Sequence, residues 1–266
     1  MLNVLKPVAL LRAAVLGLAA GTLLACGGGG AESASTATTS TPTAVATAPV
    51  TYVSGIVKNS AGNPIAGASV LAAGETTTTG ADGSYKFDAS SAGDNIVVLV
   101  RKSGFTTTAK EVPLVAASTT QMDIQLFADQ VSTTFDAATA ANVSVNGAAV
   151  QIPANAIQTA NGAAYTGTVS LGASYYSPDT VQGVQAFAGP YAGTDAGTQS
   201  PIVSMGFMEV KLTDVAGSPL QLKAPATLTF PASSNAANAA SIPLWFYDES
   251  AKIWKREGQA NRQADG

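Results

Sequence analysis

The segment Thr79-Gly80-Ala81-Asp82-Gly83-Ser84-Tyr85-Lys86-Phe87 decides the fold of the first structured part of this chain. Asp82-Gly83 is a turn signal, because Asp and Gly tolerate the backbone conformations that tight turns between strands require. After the turn, polar and apolar residues alternate, which places Tyr85 and Phe87 on one face of a strand. The segment therefore predicts a strand that follows a tight turn and packs its aromatic face into a core.

Short strand-like segments on both sides of this one extend the pattern. The predicted strands are Tyr52–Val57, Gly67–Ala72, Glu75–Thr79, Ser84–Phe87, Ile96–Val100, Phe105–Lys110 and Met122–Phe127. Ile96–Val100 is continuously apolar, as in a strand buried at the centre of a sandwich. Seven short strands joined by turns, with no helical period, predict an antiparallel β-sandwich over residues 51–128.

Four of these segments together resemble one known family. They are Gly55-Ile56-Val57, Gly62–Val70 (GNPIAGASV), Thr79–Phe87 and Lys102-Ser103-Gly104-Phe105, and their order resembles the carboxypeptidase regulatory-like domain. The resemblance implies a transthyretin-like sandwich of the carbohydrate-binding-like fold, with its glycines at turns and with Tyr85 and Phe87 in the core. It implies no catalysis, because in its namesake enzymes this domain is an accessory beside the catalytic domain.

Residues 129–258 predict a second β-rich domain, so the fold class is all-β, with two antiparallel β-sandwich domains. Val143–Pro153 alternates as a hairpin around Asn146-Gly147, whereas Gly183–Ser200 is rich in Gly, Thr and Ala and predicts a loop. No segment predicts a reliable helix. Further predicted strands are Thr166–Ser174, Met205–Leu212, Ala226–Pro231, Ile242–Glu249 and Lys252–Lys255, followed by a polar tail over residues 259–266.

The second domain also resembles a known region. Ile152–Ile157, Ser204–Val210 and Ile242–Glu249 with Trp254 are similar to the region that follows a carboxypeptidase regulatory-like domain in bacterial surface proteins and in cartilage intermediate layer protein-type ectodomains. Such regions continue with another strand after the segment around Trp254. A chain shorter than these relatives would leave an unpaired strand edge, which is a surface for assembly.

The N-terminus has the pattern of a lipoprotein leader. Lys6 and Arg12 make the start basic, and Ala13–Leu24 is an apolar run. The run is shorter than the ~20 residues that a spanning helix needs. Leu23-Leu24-Ala25-Cys26 resembles the bacterial lipobox, which implies cleavage after residue 25 and diacylglyceryl transfer to Cys26. The alternative is an ordinary signal peptide followed by an accidental cysteine.

Residues 26–50 predict a disordered tether between the acylated Cys26 and the first sandwich. The tether is low in complexity, rich in Gly, Ser, Thr, Ala and Pro, and has no hydrophobic period. The alternative is a Thr-rich stalk that carries O-glycans. Gly27 at the position after the cysteine resembles lipoproteins that are sorted to the outer membrane. We therefore expect a lipid-anchored protein of the bacterial cell envelope at the outer membrane.

Composition argues against several classes of function. The net charge is −4, and no Lys or Arg run follows the leader, so we expect no nucleic-acid partner. The chain has no histidine, which removes the commonest general base and transition-metal ligand. The single cysteine permits no intramolecular disulfide. We expect no enzyme, no cofactor and no metal site.

Three sharper alternatives depend on particular residues. Asp82 with Asn63 or Asp88 raises the alternative of a Ca²⁺ site, but no loop offers six to eight oxygens at suitable spacing. Lys58 at a strand end raises the alternative of a Lys–Asn isopeptide crosslink, for which the sequence assigns no partners. The aromatic residues Trp245, Phe246, Tyr247 and Trp254 form either a sugar-stacking platform or part of the core, and core packing is favoured.

A glycosidase acid pair is excluded at the adjacent Asp248 and Glu249, because neighbouring residues in a strand point to opposite faces. The sequence thus predicts a non-catalytic envelope lipoprotein. It touches the membrane through the acyl anchor on Cys26, and its sandwiches bind a glycan or a surface protein or serve a structural role. The alternative is an accessory subunit of a transport or assembly complex that uses an exposed strand edge.

Overall fold

The computed structural model describes residues 50–234 and 239–263. The predicted signal peptide, Cys26 and all of the predicted tether except Val50 lie outside the described residues. So do the last three residues of the predicted polar tail.

Eight strands build the N-terminal sandwich. They are β1 (Tyr52–Asn59), β2 (Ser69–Ala72), β3 (Glu75–Thr78), β4 (Ser84–Asp88), β5 (Asn95–Arg101), β6 (Thr108–Pro113), β7 (Thr119–Gln121) and β8 (Ile124–Leu126). One sheet has the order β4-β1-β7, with β8 also on β1, and the other has the order β3-β2-β5-β6. Most pairs are antiparallel as predicted, but β7 and β8 run parallel to β1.

The turn that opens β4 follows the sequence prediction. Gly83 has φ +74°, and Tyr85 and Phe87 point inward with 4% and 8% exposure. Both rings join an apolar cluster between the two sheets that also contains Val53, Val57 and Val98. The alternation that follows Asp82-Gly83 in the sequence therefore correctly predicts which side chains of β4 face the core.

Gly55 corrects one expectation of the family resemblance, which implied glycines at turns. This glycine lies inside β1, and a Cβ built on it would stand 1.9 Å from the Met122 carbonyl oxygen. Met122 occupies the break between β7 and β8, and its carbonyl accepts a hydrogen bond from the Tyr85 hydroxyl at 2.5 Å. Gly55 thus permits a close backbone approach in mid-strand, a known use of strand glycines.

The described residues of the C-terminal part form twelve strands and one short helix. The first elements are β9 (Val131–Asp136), β10 (Ala141–Val145), β11 (Ala148–Ile152), β12 (Ile157–Thr159), β13 (Thr168–Tyr176), α1 (Val181–Ala186) and β14 (Ala192–Asp195). The others are β15 (Thr198–Pro201), β16 (Phe207–Thr213), β17 (Leu220–Leu222), β18 (Thr227–Thr229), β19 (Ser241–Asp248) and β20 (Ile253–Asn261). The sheet orders are β16-β13-β9, β10-β11-β18, β12-β17 and β15-β14-β20-β19.

The predicted hairpin around Asn146-Gly147 is confirmed. β10 and β11 pair antiparallel from Ala141↔Ile152 to Val145↔Ala148, and both turn residues have positive φ, +48° at Asn146 and +84° at Gly147. Such angles belong to the tight hairpin turn that the Asn-Gly pair favours. The Asn146-Gly147 pair and its flanking alternation were therefore sufficient to predict this hairpin.

Two other predictions for the C-terminal part were wrong. Gly183–Ser200 is not a continuous loop, because the range contains the end of α1, all of β14 and most of β15. The polar tail does not begin at residue 259, because β20 continues to Asn261 and pairs Gln259 with Pro243. Both segments lack a clear hydrophobic pattern. β14 pairs with β15 and with the more distant β20, and the end of β20 pairs with β19.

A separate apolar cluster joins the two parts of the fold, and we call it the junction core. Val97 and Leu99 of β5, Ala109 of β6 and Phe127 enter it from the N-terminal sandwich. From the C-terminal part come Tyr176, Ala186, Phe187, Ala188, Ile202, Phe207, Trp245, Tyr247 and Trp254. The continuous apolar run of β5 is thereby explained: Ile96, Val98 and Val100 face the sandwich interior, and the residues between them face the junction core.

Candidate functional site

Three of the four aromatic residues that the sequence singled out, Trp245, Tyr247 and Trp254, lie inside the junction core, whereas Phe246 is only partly buried. Trp254 is 0% exposed, Tyr247 1% and Trp245 6%. The Trp254 ring centroid stands 4.9 Å from that of Tyr247 and 5.2 Å from that of Phe187. These three buried rings cannot stack on a sugar from solvent, so the preferred interpretation as core is confirmed.

A group of charged side chains lies beside the junction core, where β16 passes the connection between β8 and β9. Glu209 of β16 is 1% exposed, and its Oε2 accepts a hydrogen bond from the Thr107 backbone N–H at 2.9 Å. Burial raises the pKa of Glu209, and the nearby Lys211 ammonium opposes that effect. The Lys211 Nζ stands 2.5 Å from Asp129 Oδ1 and 3.9 Å from Glu209 Oε2. We call Asp129, Glu209 and Lys211 the buried triad.

Hydrogen bonds continue from the triad along β13. The Thr106 hydroxyl donates to the Ser174 Oγ at 3.0 Å and lies 2.8 Å from the Tyr176 hydroxyl. Arg101, at the end of β5, forms an ion pair with Glu249, which directly follows β19. Burial lowers the pKa of Arg101, and the charge of Glu209 opposes that effect. Hydrogen bonds and an ion pair therefore connect the two parts at this junction.

The sequence analysis did not identify the buried triad. A signal was available, because Met205–Leu212 is an apolar strand interrupted by two charges, Glu209 and Lys211. Charged residues two apart in a strand share one face and need a partner when that face is buried. Nothing in the sequence indicated that Asp129 is the third member, because Asp129 lies 82 positions from Lys211 in the chain.

The residues that the sequence singled out in the N-terminal sandwich have structural roles. Asp82 Oδ1 accepts hydrogen bonds from the backbone N–H of Ser84 at 3.0 Å and from its hydroxyl at 2.6 Å, and these bonds lower the pKa of Asp82. Asp88 accepts from the backbone of Ser90 in the same way. Lys58 pairs with the exposed Asp123 at 2.9 Å. Within residues 50–234 and 239–263, no three His, Cys, Asp or Glu side chains group as metal ligands.

Asp248 and Glu249 are held by different cations. Asp248 Oδ2 lies 2.6 Å from Lys255 Nζ, whereas Glu249 pairs with Arg101. The structure does not bring them together as an acid pair. Among the described residues, no helix has the length and apolar character that a bilayer crossing requires.

Comparison with known proteins identifies the N-terminal sandwich. Residues 52–127 match the family model of the carboxypeptidase regulatory-like domain, which confirms the resemblance seen in the sequence for this part of the chain. No curated protein matches the chain. The lipobox resemblance and the resemblance of the C-terminal part to cartilage intermediate layer protein-type ectodomains stay predictions.

Three solved structures resemble parts of the chain. A type II cohesin–X-dockerin complex from Acetivibrio cellulolyticus is 22% identical over 30% of this chain and 60% of that chain, with a TM-score of 0.24. The Bacillus anthracis TIE protein is 10% identical over 73% of this chain and 29% of that chain, with a TM-score of 0.27. A DUF3823 family protein from Bacteroides ovatus is 9% identical over 68% of this chain and 98% of that chain, with a TM-score of 0.25. At these scores the likenesses carry no argument about function.

Proposed function

We propose that this protein is a non-catalytic lipoprotein of the bacterial envelope. In this proposal acylated Cys26 holds the chain at the outer membrane, and the β-sandwiches present a binding surface to a protein partner. The carboxypeptidase regulatory-like domain at residues 52–127 supports a binding or structural role. The burial of the junction aromatics supports a structural role for these rings, since they serve the interior rather than an open cleft.

The free edge of β9 is the single observation that carries the choice of a protein partner. Among residues 50–234 and 239–263, β9 pairs with β13 alone, from Val131↔Ala173 to Asp136↔Thr168, and so lies at the edge of the sheet β16-β13-β9. Ser132, Thr133 and Thr134 are exposed, and the strand contains no Lys, Arg or Pro. Natural proteins usually protect an exposed edge with such residues or with a bulge.

An edge of this kind suits strand addition. An extended segment of a partner would pair with the free backbone groups of β9, and its side chains would alternate between the two faces of the sheet. Because residues 131–135 carry no charge, we expect an uncharged partner segment rich in β-branched residues. Glycan binding, which was the other expectation from the sequence, is the competing outcome of the test.

The edge can be blocked without altering the pairing of β9 with β13. We expect lysine at both Ser132 and Thr134 to reduce retention of a discrete protein partner from envelope extracts about tenfold or more, because two charges oppose strand addition. The matched control introduces lysine at Thr198 and Ser200 of β15, another fully exposed edge strand. Equal retention by the two variants would contradict strand addition, and glycan-array binding without a protein partner would favour the glycan alternative.

The anchor is tested separately at Cys26. We expect Cys26→Ser to lose incorporation of labelled fatty acid and to leave the membrane fraction, because a serine hydroxyl does not replace the thiol that the lipobox presents. Ser33→Ala, in the same N-terminal region, should keep both properties. If the Cys26→Ser chain still carries the acyl label and fractionates with the membrane, the lipoprotein proposal fails.

A further inference from the structure

The buried triad places two carboxyl groups close to one amine. Lys211 Nζ lies 2.5 Å from Asp129 Oδ1 and 3.9 Å from Glu209 Oε2. The side chains of Asp129 and Glu209 are 7% and 2% exposed, and that of Lys211 is 28% exposed. Surface ion pairs are held loosely in water, whereas both acids of this group are almost fully removed from it.

Backbone contacts position both members of the ion pair between Lys211 and Asp129. The Lys211 ammonium donates to the Phe105 carbonyl, which positions Nζ from the side of the N-terminal sandwich. The Asp129 backbone N–H donates to the Gly104 carbonyl at 2.9 Å, which fixes the main chain that carries the acid. Amine and carboxyl are thus preorganised by neighbouring carbonyls of one segment.

Gly172 makes room for this pair at the centre of β13. A Cβ built on Gly172 would stand 2.6 Å from Asp129 Oδ2 and 3.4 Å from Lys211 Cε. Gly172 pairs with Ser132 of β9 on one side and with Lys211 of β16 on the other. Glycine weakens the interior of a strand, so its presence here marks the close approach of other atoms. Asp129 and Lys211 therefore meet directly above the middle strand of the sheet.

We propose that Lys211 and Asp129 condense to an intramolecular amide, an isopeptide bond between Lys211 Nζ and Asp129 Cγ, with Glu209 as the proton relay. A proton first passes from the ammonium to the Asp129 carboxylate, which leaves a neutral amine and a neutral acid. Nζ then attacks Cγ and forms the C–N bond of a tetrahedral intermediate. The Cγ–OH bond breaks, the second amine proton leaves the nitrogen, and one water molecule departs. No oxidant, reductant or other reactant is required.

Glu209 is suited to move the proton in this step. Burial raises the pKa of Glu209, which favours its protonated form. A protonated carboxyl can give a proton to the departing hydroxyl and accept one from the nitrogen, as a general acid and base. The Nζ to Oε2 distance of 3.9 Å is longer than a hydrogen bond, but catalytic contacts are often long before the reacting groups close on each other.

The product suits its surroundings better than the ion pair does. An amide carries no charge, so condensation removes two partly buried charges whose desolvation is costly. The bond would cross β13 and connect β16 to the chain segment that enters β9, closing a loop between residues 82 positions apart. Closing such a loop restricts the unfolded chain, as a disulfide does. This inference does not depend on the anchor or on a partner.

Mass spectrometry of the full chain tests the bond. Trypsin cannot cleave after an acylated lysine, so we expect a peptide over residues 111–223 that is lighter than its sequence by one water molecule. Lys211→Arg keeps the positive charge but cannot form the amide, and it should show no loss of water. Asp129→Asn can still condense by releasing ammonia, and its peptide should have the same mass as that of the wild type. Asp129→Ala should remain unlinked.

Glu209→Gln separates a proton relay from a structural role. We expect this variant to keep its β-sheet circular dichroism while trypsin cleaves it after Lys211, which gives peptides 111–211 and 212–223 without loss of water. Complete linkage in Glu209→Gln would overturn the relay assignment. Cleavage after Lys211 with full peptide mass in the folded wild-type chain would overturn the bond itself, whatever the stability of the variants.

Discussion

Trp254→Ala is expected to lower the free energy of unfolding by about 3–5 kcal/mol, the usual cost of truncating a buried tryptophan. Trp254 is fully buried and contacts the rings of Phe187, Phe207 and Tyr247. These partners come from three different segments, so the cavity would lie in the junction core rather than in one sheet. Local collapse cannot easily fill it, because each neighbour is held by its own element.

Urea unfolding monitored by circular dichroism measures this loss, with Val215→Ala as the matched control. Val215 is 78% exposed, and its truncation should change the free energy of unfolding by less than about 0.5 kcal/mol. We also expect one cooperative transition for the wild-type chain, because the junction core draws on both parts of the fold. Two separate transitions, with only one affected by Trp254→Ala, would contradict a shared core.

Gly55→Ala is expected to destabilise the protein by about 3 kcal/mol, at the upper end of the usual cost of overpacking. The added methyl would overlap the Met122 carbonyl oxygen, which a Cβ would approach to 1.9 Å, and that atom belongs to the backbone. A flexible side chain could rotate away, but here β1 must separate from the segment between β7 and β8. The hydrogen bond from the Tyr85 hydroxyl to the same carbonyl would be strained as well.

Gly93→Ala is the matched control for this substitution. Gly93 has open space around a built Cβ and an ordinary φ, so the same chemical change meets no obstacle there. Thermal unfolding of the two variants should show a large fall in Tm for Gly55→Ala and little change for Gly93→Ala. Similar Tm values would mean that the close approach of Met122 to β1 is not a constraint on the fold.

Strands were predictable where turn chemistry and side-chain alternation agreed over a few residues. β4 after Asp82-Gly83 and the hairpin around Asn146-Gly147 are examples, since each signal lies within about ten residues of what it specifies. β14 and β15 were missed for the opposite reason. Ala192–Asp195 has no apolar period, and besides its hairpin partner β15 it pairs in parallel with β20, some sixty positions later.

The candidate site was less predictable than the fold. Glu209 and Lys211 were visible as charges within an apolar strand, but a strand sequence alone does not tell which face is covered. The covering residues come from two separate places in the chain: Thr107 immediately precedes β6, and Asp129 lies between β8 and β9. The sequence instead drew attention to Asp82 and Lys58, which turned out to be a turn residue and a partly exposed ion-pair member.

The sequence by itself determined the all-β class, the family of the N-terminal sandwich and the prediction of an acylated Cys26, because each depends on signals that are local in the chain. Only the tertiary structure decided that β5 is buried on both faces, that the aromatic rings of β19 and β20 are core, and that Asp129 meets Lys211 above Gly172. The physical reason is that burial and reactivity depend on which distant segments exclude water from a side chain. Neighbours in the sequence do not specify those segments.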